Sequence, residues 1–173
     1  MLRLFILWCL WVTVGMHANA QQLLFGNYSV GEGLPSPSVF TIAQDSQGFM
    51  WFGTKNGLSR FDGYQFRTFR FDKKQPHSIG NNVVHCIFNY DSTHLWIGVD
   101  NGVYILDLEK ETFTRFKPAI TRAVSDIFRD KDGFIWIANT FTGLYRYDPV
   151  NDVLVSYTAN GTSSSISYNQ ISN

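Results

Sequence analysis

The stretch Ile42–Gly63, IAQDSQGFMWFGTKNGLSRFDG, decides the fold. Gln47-Gly48 supplies a turn, and Phe49 to Thr54 is aromatic and extended. Asn56-Gly57 reads as a two-residue hairpin of type I′, which requires positive φ at both central residues. Leu58 to Phe61 reads as the next strand, and Asp62-Gly63 as another tight turn. The same pattern recurs as IFNYDSTHLWIGVDNGVYILD from Ile87 to Asp107, and as IFRDKDGFIWIANTFTGLYRYD from Ile127 to Asp148.

The three copies share one register. Trp51, Trp96 and Trp136 each follow an Ile by nine residues and a Val by twelve. Gly57, Gly102 and Gly143 come six, six and seven residues after the Trp, and Asp62, Asp107 and Asp148 close each unit. The Trp residues stand 45 and 40 residues apart. One Trp and four short strands in a unit of that length is the pattern of a β-propeller blade. The expected fold is therefore all-β, with four-stranded antiparallel blades spanning about 35–72, 80–118 and 120–160. Four short strands are expected in each, about twelve in all. The Trp that recurs in every copy is expected to pack between sheets rather than to hold a ligand.

Working outward, Met1-Leu2-Arg3 and the apolar run Leu4 to Val14 resemble the start of a secretory signal peptide. Ala18-Asn19-Ala20 supplies a cleavage site, so residues 1–20 are expected to be removed, leaving 21–173 as part of a propeller. Cys9 leaves with the signal peptide and Cys86 remains alone, which excludes an internal disulfide. The mature part carries 13 basic and 14 acidic groups, a balance that does not favour nucleic acid or an anionic membrane surface as a partner. Leu24 to Val30 reads as a lone strand that would complete a distant last blade. Ile171 reads as the start of a fourth blade. Propellers close with four to eight blades, so the chain is expected to be the N-terminal fragment of a longer protein.

Chemistry-bearing residues are few. Asp130-Lys-Asp132-Gly133 lacks the later ligands of a calcium loop and reads as a turn. His77, His85 and His94 lack metal-ligand spacing. His85 belongs to an innermost strand, where it would either face the central channel or pack through a hydrogen bond. No phosphate loop or nucleophile elbow is present, so no catalytic residue, metal or cofactor is expected. Asn27-Tyr-Ser29 and Asn160-Gly-Thr162 are formal glycosylation sequons. Ligand contacts in propellers come from rim loops that vary between blades. The candidates are Asn56, Asn82, Asn101 and Phe141, because an amide offers donor and acceptor together to sugar hydroxyls and a phenyl ring can stack on a sugar face. Asn56 and Asn101 also serve their hairpin turns.

The units D-x-x-G-F-[MI]-W-[FI] and W-[FI]-G-[TV]-x-N-G-[LV], followed by R-[FY]-D, resemble the two-component regulator propeller repeat. With Gly31-Glu-Gly-Leu34-Pro-Ser ahead of them, the arrangement resembles the periplasmic N-terminus of a hybrid two-component sensor. That resemblance implies two propellers and a small β-sandwich, joined through one membrane helix to a histidine kinase, receiver and DNA-binding domain. It also implies an oligosaccharide ligand and a homodimer, with membrane contact only through a helix beyond this chain. The second copy departs from the pattern, with Thr93 for Gly and Ile105-Leu106 for the R-[FY] pair. Two other functions fit the fold. One is a secreted propeller enzyme, a lyase or glycosidase. The other is a scaffold for protein contacts.

Overall fold

The computed structural model describes residues 26–161 and 165–169. The expected signal peptide and the start of a fourth blade lie outside the described residues. Among the described residues there are twelve strands: β1 (Val39–Gln44), β2 (Met50–Thr54), β3 (Gly57–Phe61), β4 (Phe66–Phe69), β5 (Val84–Asn89), β6 (His94–Val99), β7 (Gly102–Asp107), β8 (Thr112–Phe116), β9 (Val124–Arg129), β10 (Ile135–Asn139), β11 (Gly143–Asp148) and β12 (Val153–Tyr157). They form three antiparallel four-stranded meanders in sequence order, so the all-β, four-strand reading holds. Successive innermost strands meet, β1 against β5 and β5 against β9, as blades do around an axis.

Two apolar cores lie between the sheets rather than within them. Trp51, Leu58 and Val84 belong to the first, between blades one and two. Trp96, Val103, Phe116, Val124 and Ile137 belong to the second, between blades two and three. Trp51 and Trp96 face the following blade, and in each blade the Trp lies near an outer-strand ring: Trp51 with Phe69, Trp96 with Phe116, and Trp136 with Tyr157. Trp51 and Trp96 are 1% and 3% exposed. Gly53 and Gly98 let the next inner strand approach. A Cβ on Gly53 would lie 2.8 Å from the Val84 side chain, and one on Gly98 would lie 2.9 Å from the Val124 carbonyl.

The repeat aspartates tie the turns. Asp62, Asp107 and Asp148 each accept two backbone N–H bonds from the turn that follows, at 2.8–3.2 Å. Asp45 and Asp130 do the same for the first turn of their blades, and each also accepts the Trp indole Nε1–H at 2.7 Å. At Asp62, Asp107, Asp130 and Asp148 these bonds favour the ionised form. The Lys110 ammonium and amide pull Asp107 down to about 2, and the Trp136 indole lowers Asp130. A carboxylate whose folded value lies below its unfolded one stabilises the fold above the unfolded value. For Asp107 that contribution is lost as the pH falls from 3.8 toward about 2. The thermal midpoint is therefore expected to stay flat through neutral pH and drop below the carboxylate range. A scan against pH checks this, and a midpoint that rises on acidification contradicts it.

Two sequence expectations need correction. Gly26 to Ser29 is not a strand; the chain enters a 3₁₀ turn at Val30–Glu32. Ser29 caps that turn through its Oγ, and the Glu32 carboxylate accepts the Ser29 N–H at 2.7 Å. Tyr28 packs its ring 4.9 Å from Phe61 instead of joining a sheet. The hairpins are also not of type I′. In blade one Thr54 pairs with Gly57, so the loop is Lys55-Asn56, and neither has positive φ. Gly57 alone takes the left-handed position, at φ 120°, the arrangement of a turn followed by a glycine bulge.

Candidate functional site

Each innermost strand carries one extra residue at the same place. The pairing of β1 with β2 shifts between Val39 and Thr41, that of β5 with β6 between Val84 and Cys86, and that of β9 with β10 between Val124 and Asp126. The bulged residues are Phe40, His85 and Ser125. A bulge re-aims a side chain and bends its strand, and bulges are frequent beside binding sites. Here the framework around them repeats, whereas the three residues differ: an aromatic ring, an imidazole and a hydroxyl. His85 Nε2 lies 2.7 Å from Asp100 Oδ1, and its ring stacks 5.8 Å from Phe40, which is half exposed. The hydrogen-bonded reading of His85 holds, and the imidazole stays partly exposed beside Phe40.

This end of the blades also carries the β2–β3, β6–β7 and β10–β11 hairpins and the linkers between blades. The asparagines there have a shared structural use. Asn56 Nδ2 donates to Pro35 O, Asn101 Nδ2 to Gly80 O and Asn139 Nδ2 to Arg122 O, all at 3.0–3.1 Å. Each amide ties its hairpin to the linker that opens the same blade. Asn139 was not singled out from sequence, although it ends the W-I-A-N run just as Thr54 and Val99 end theirs. Asn101 Oδ1 is buried without a partner among the described residues. Asn82 sits where the first hairpin meets the next linker. Its carbonyl accepts the Gly57 N–H at 2.7 Å and its Oδ1 accepts the Phe71 N–H at 2.8 Å. Its Nδ2 has no partner among the described residues. Phe141 is 59% exposed at the tip of the third hairpin and makes no ring contact among them. The structure thus brings Asn56 and Asn82 together, and leaves Phe141 on a separate hairpin at the same end.

The remaining titratable groups offer little chemistry. Burial, with the Asp126 charge behind it, pushes the Cys86 thiol up to about 12, so it is an inert core residue. No cluster of three potential metal ligands occurs among the described residues, and no helix among them is long and apolar enough to cross a membrane.

Three inter-packed meanders, each with a Trp at the same place, define an array of propeller blades. The two-component regulator propeller family matches at residues 33–56 and 120–141, and the chain carries repeats of that kind. A curated relative, histidine kinase P4 from Formosa agariphila, is 32% identical over 68 residues, which is 39% of this chain and 5% of that protein. Among solved structures, one described as the extracellular domain of a hybrid two-component system from B. thetaiotaomicron superposes with a TM-score of 0.75. It is 23% identical and covers 84% of this chain and 21% of that one. Virginiamycin B lyase from Staphylococcus aureus superposes at 0.54, with 18% identity over 72% of this chain and 43% of that one. These two likenesses show the fold. The chain spans a small part of the length of its relatives.

Proposed function

We propose that this chain is part of the periplasmic propeller of a two-component sensor. It recognises an oligosaccharide at the hairpin and linker end and signals to a histidine kinase elsewhere in the full-length protein, which acts as a homodimer. The observation that carries the reading is the set of three equivalent bulged positions, occupied by Phe40, His85 and Ser125 on a framework that otherwise repeats. A surface that repeats serves packing, and one that varies at fixed positions serves recognition. Phe40 and Phe141 offer apolar faces to a sugar ring, while His85 with Asp100 and the Asn82 amide offer polar partners for hydroxyls. The matched family repeats and the aligned histidine kinase support the sensor class.

The test is calorimetry on the complete exported protein with a panel of oligosaccharides. His85→Ala and Phe141→Ala are each expected to weaken binding roughly tenfold, about 1.4 kcal/mol, and Asn82→Ala by less. Unchanged affinity in all three moves the site off these blades. Turnover of the glycan by the propeller alone places the protein among the enzymes instead.

A further inference from the structure

The two interfaces between blades are built on one plan, and they differ in what fills the groove beside the Trp. Between blades one and two, Arg60 plugs the outer groove. Its guanidinium lies 4.7 Å from the Phe49 ring and 5.8 Å from Trp51, and its Nη1 donates to Glu111 at 3.0 Å. Arg67 donates to the same carboxylate. Between blades two and three, Ile105 and Thr114 stand where Arg60 and Arg67 stand, and Asp152 replaces Glu111 at the matching positive-φ turn. The groove is no longer plugged. A cleft of about 480 Å³ opens there, walled by Tyr90, Trp96, Ile105, Phe116, Lys117 and Tyr147.

The tryptophan in that wall is incomplete. Trp51 and Trp136 each give their Nε1–H to a carboxylate oxygen at 2.7 Å, from Asp45 and Asp130 six residues earlier. Six residues before Trp96 stands Tyr90, whose ring stacks on the indole at 4.9 Å. Trp96 is 3% exposed, and its Nε1 donates to no group among the described residues. It is not sealed from solvent as Asn101 Oδ1 is. An N–H that meets only solvent can exchange that water for an acceptor oxygen of an incoming group.

We infer that this cleft binds a small ring-bearing carboxylate, which supplies to Trp96 the oxygen that Asp45 and Asp130 supply to their tryptophans. The aromatic walls take the ring, and the Lys117 ammonium, bonded to Asp152 and 5.6 Å from the Tyr147 ring, borders the cleft. The acids at the cleft do not oppose an anion outright. Asp91 accepts from Thr93 and His94, Asp152 accepts from Lys117 and Tyr147, and Arg115 and Lys117 balance the two charges. This site is separate from the hairpin end and does not depend on the sensor reading.

The experiment is calorimetric titration of the complete protein with benzoate and galacturonate, against benzyl alcohol and galactose as neutral counterparts. The two acids distinguish an aromatic from a sugar body. At least one acid is expected to bind, about tenfold or more tighter than its neutral counterpart. Tyr90→Asp rebuilds the cap found in the other blades, so it is expected to abolish binding while leaving the thermal midpoint unchanged or higher. Lys117→Met is expected to weaken binding with the fold intact, and carries the test if Tyr90→Asp does not fold. The inference is overturned if neither acid binds, if acid and neutral forms bind alike, or if a folded Tyr90→Asp or Lys117→Met protein binds as the wild type does.

Discussion

Gly98→Val should be among the most damaging single changes in this chain. A Cβ at position 98 would fall 2.3 Å from Cys86 Sγ and 2.9 Å from the Val124 carbonyl oxygen, both distances that real contacts do not show. The cysteine cannot swing clear, because it is buried and its Sγ donates to that same carbonyl at 3.7 Å. The other neighbour is backbone of β9, so relief requires moving the third blade off the second. Overpacking alone costs about 1–3 kcal/mol, and more when backbone must shift. The loss is expected at the top of that range or above it. Since each repeat is stabilised chiefly by its neighbours, the damage should spread through the interface between blades two and three. Denaturant unfolding of the complete protein measures it. A midpoint equal to that of the wild type shows that the blades do not pack as closely as described. At the matching position of blade three the sequence has Ala138 rather than glycine.

The strands were legible because three signals coincide in each copy: a Trp at one place, a glycine after the second strand, and an aspartate before the last. All twelve strands fall within a residue or so of where the repeat puts them. The segment before β1 was misread for a local reason. Leu24 to Val30 resembles the fourth-strand segments of the repeat, but Ser29 and Glu32 have capping-box spacing, and that local bonding turns the chain at Val30–Glu32. The hairpin type was misread because Asn-Gly suits two turns. The pairing of Thr54 with Gly57 puts the glycine after the loop rather than inside it.

The candidate site was only partly visible. Asn56 and Asn101 stood out as turn residues, and the structure spends their amides on tying hairpins to linkers. The bulged residues carry no signal in the alternation of the strand. An extra residue normally throws a core side chain to the wrong face. Where a sheet is covered on both faces, either face accepts it, so the pattern does not register the insertion. The available clue lay in comparing copies: the residue after Val39, Val84 and Val124 changes from Phe to His to Ser while the Val stays. The same comparison exposes the second groove, since Tyr90 and Ile105 are among the positions where the middle copy departs.

Trp51→Ala is expected to cost more than the same change at Trp136. Trp51 is 1% exposed and packs into the core between blades one and two, beside Leu58, Val84 and Leu95. Removing a buried indole typically costs about 3–5 kcal/mol through lost burial and the cavity left behind. Two further losses attach to this position. Asp45 is buried at 7% exposure and would lose the indole N–H at 2.7 Å, leaving its Oδ2 without a partner. An orphaned buried acceptor costs about 1–3 kcal/mol. The Arg60 guanidinium would lose the ring beneath it, though its bond to Glu111 remains. At Trp136 the indole lies on the face of blade three turned away from blade two, and it is only half buried, so the cavity term shrinks. The expected order of loss is Trp51 well above Trp136, with Trp51→Phe in between because phenylalanine refills most of the space but offers no donor. Chemical denaturation of the three variants in the complete protein reads this order directly. Equal losses at Trp51 and Trp136 would mean that burial between described blades does not govern the cost.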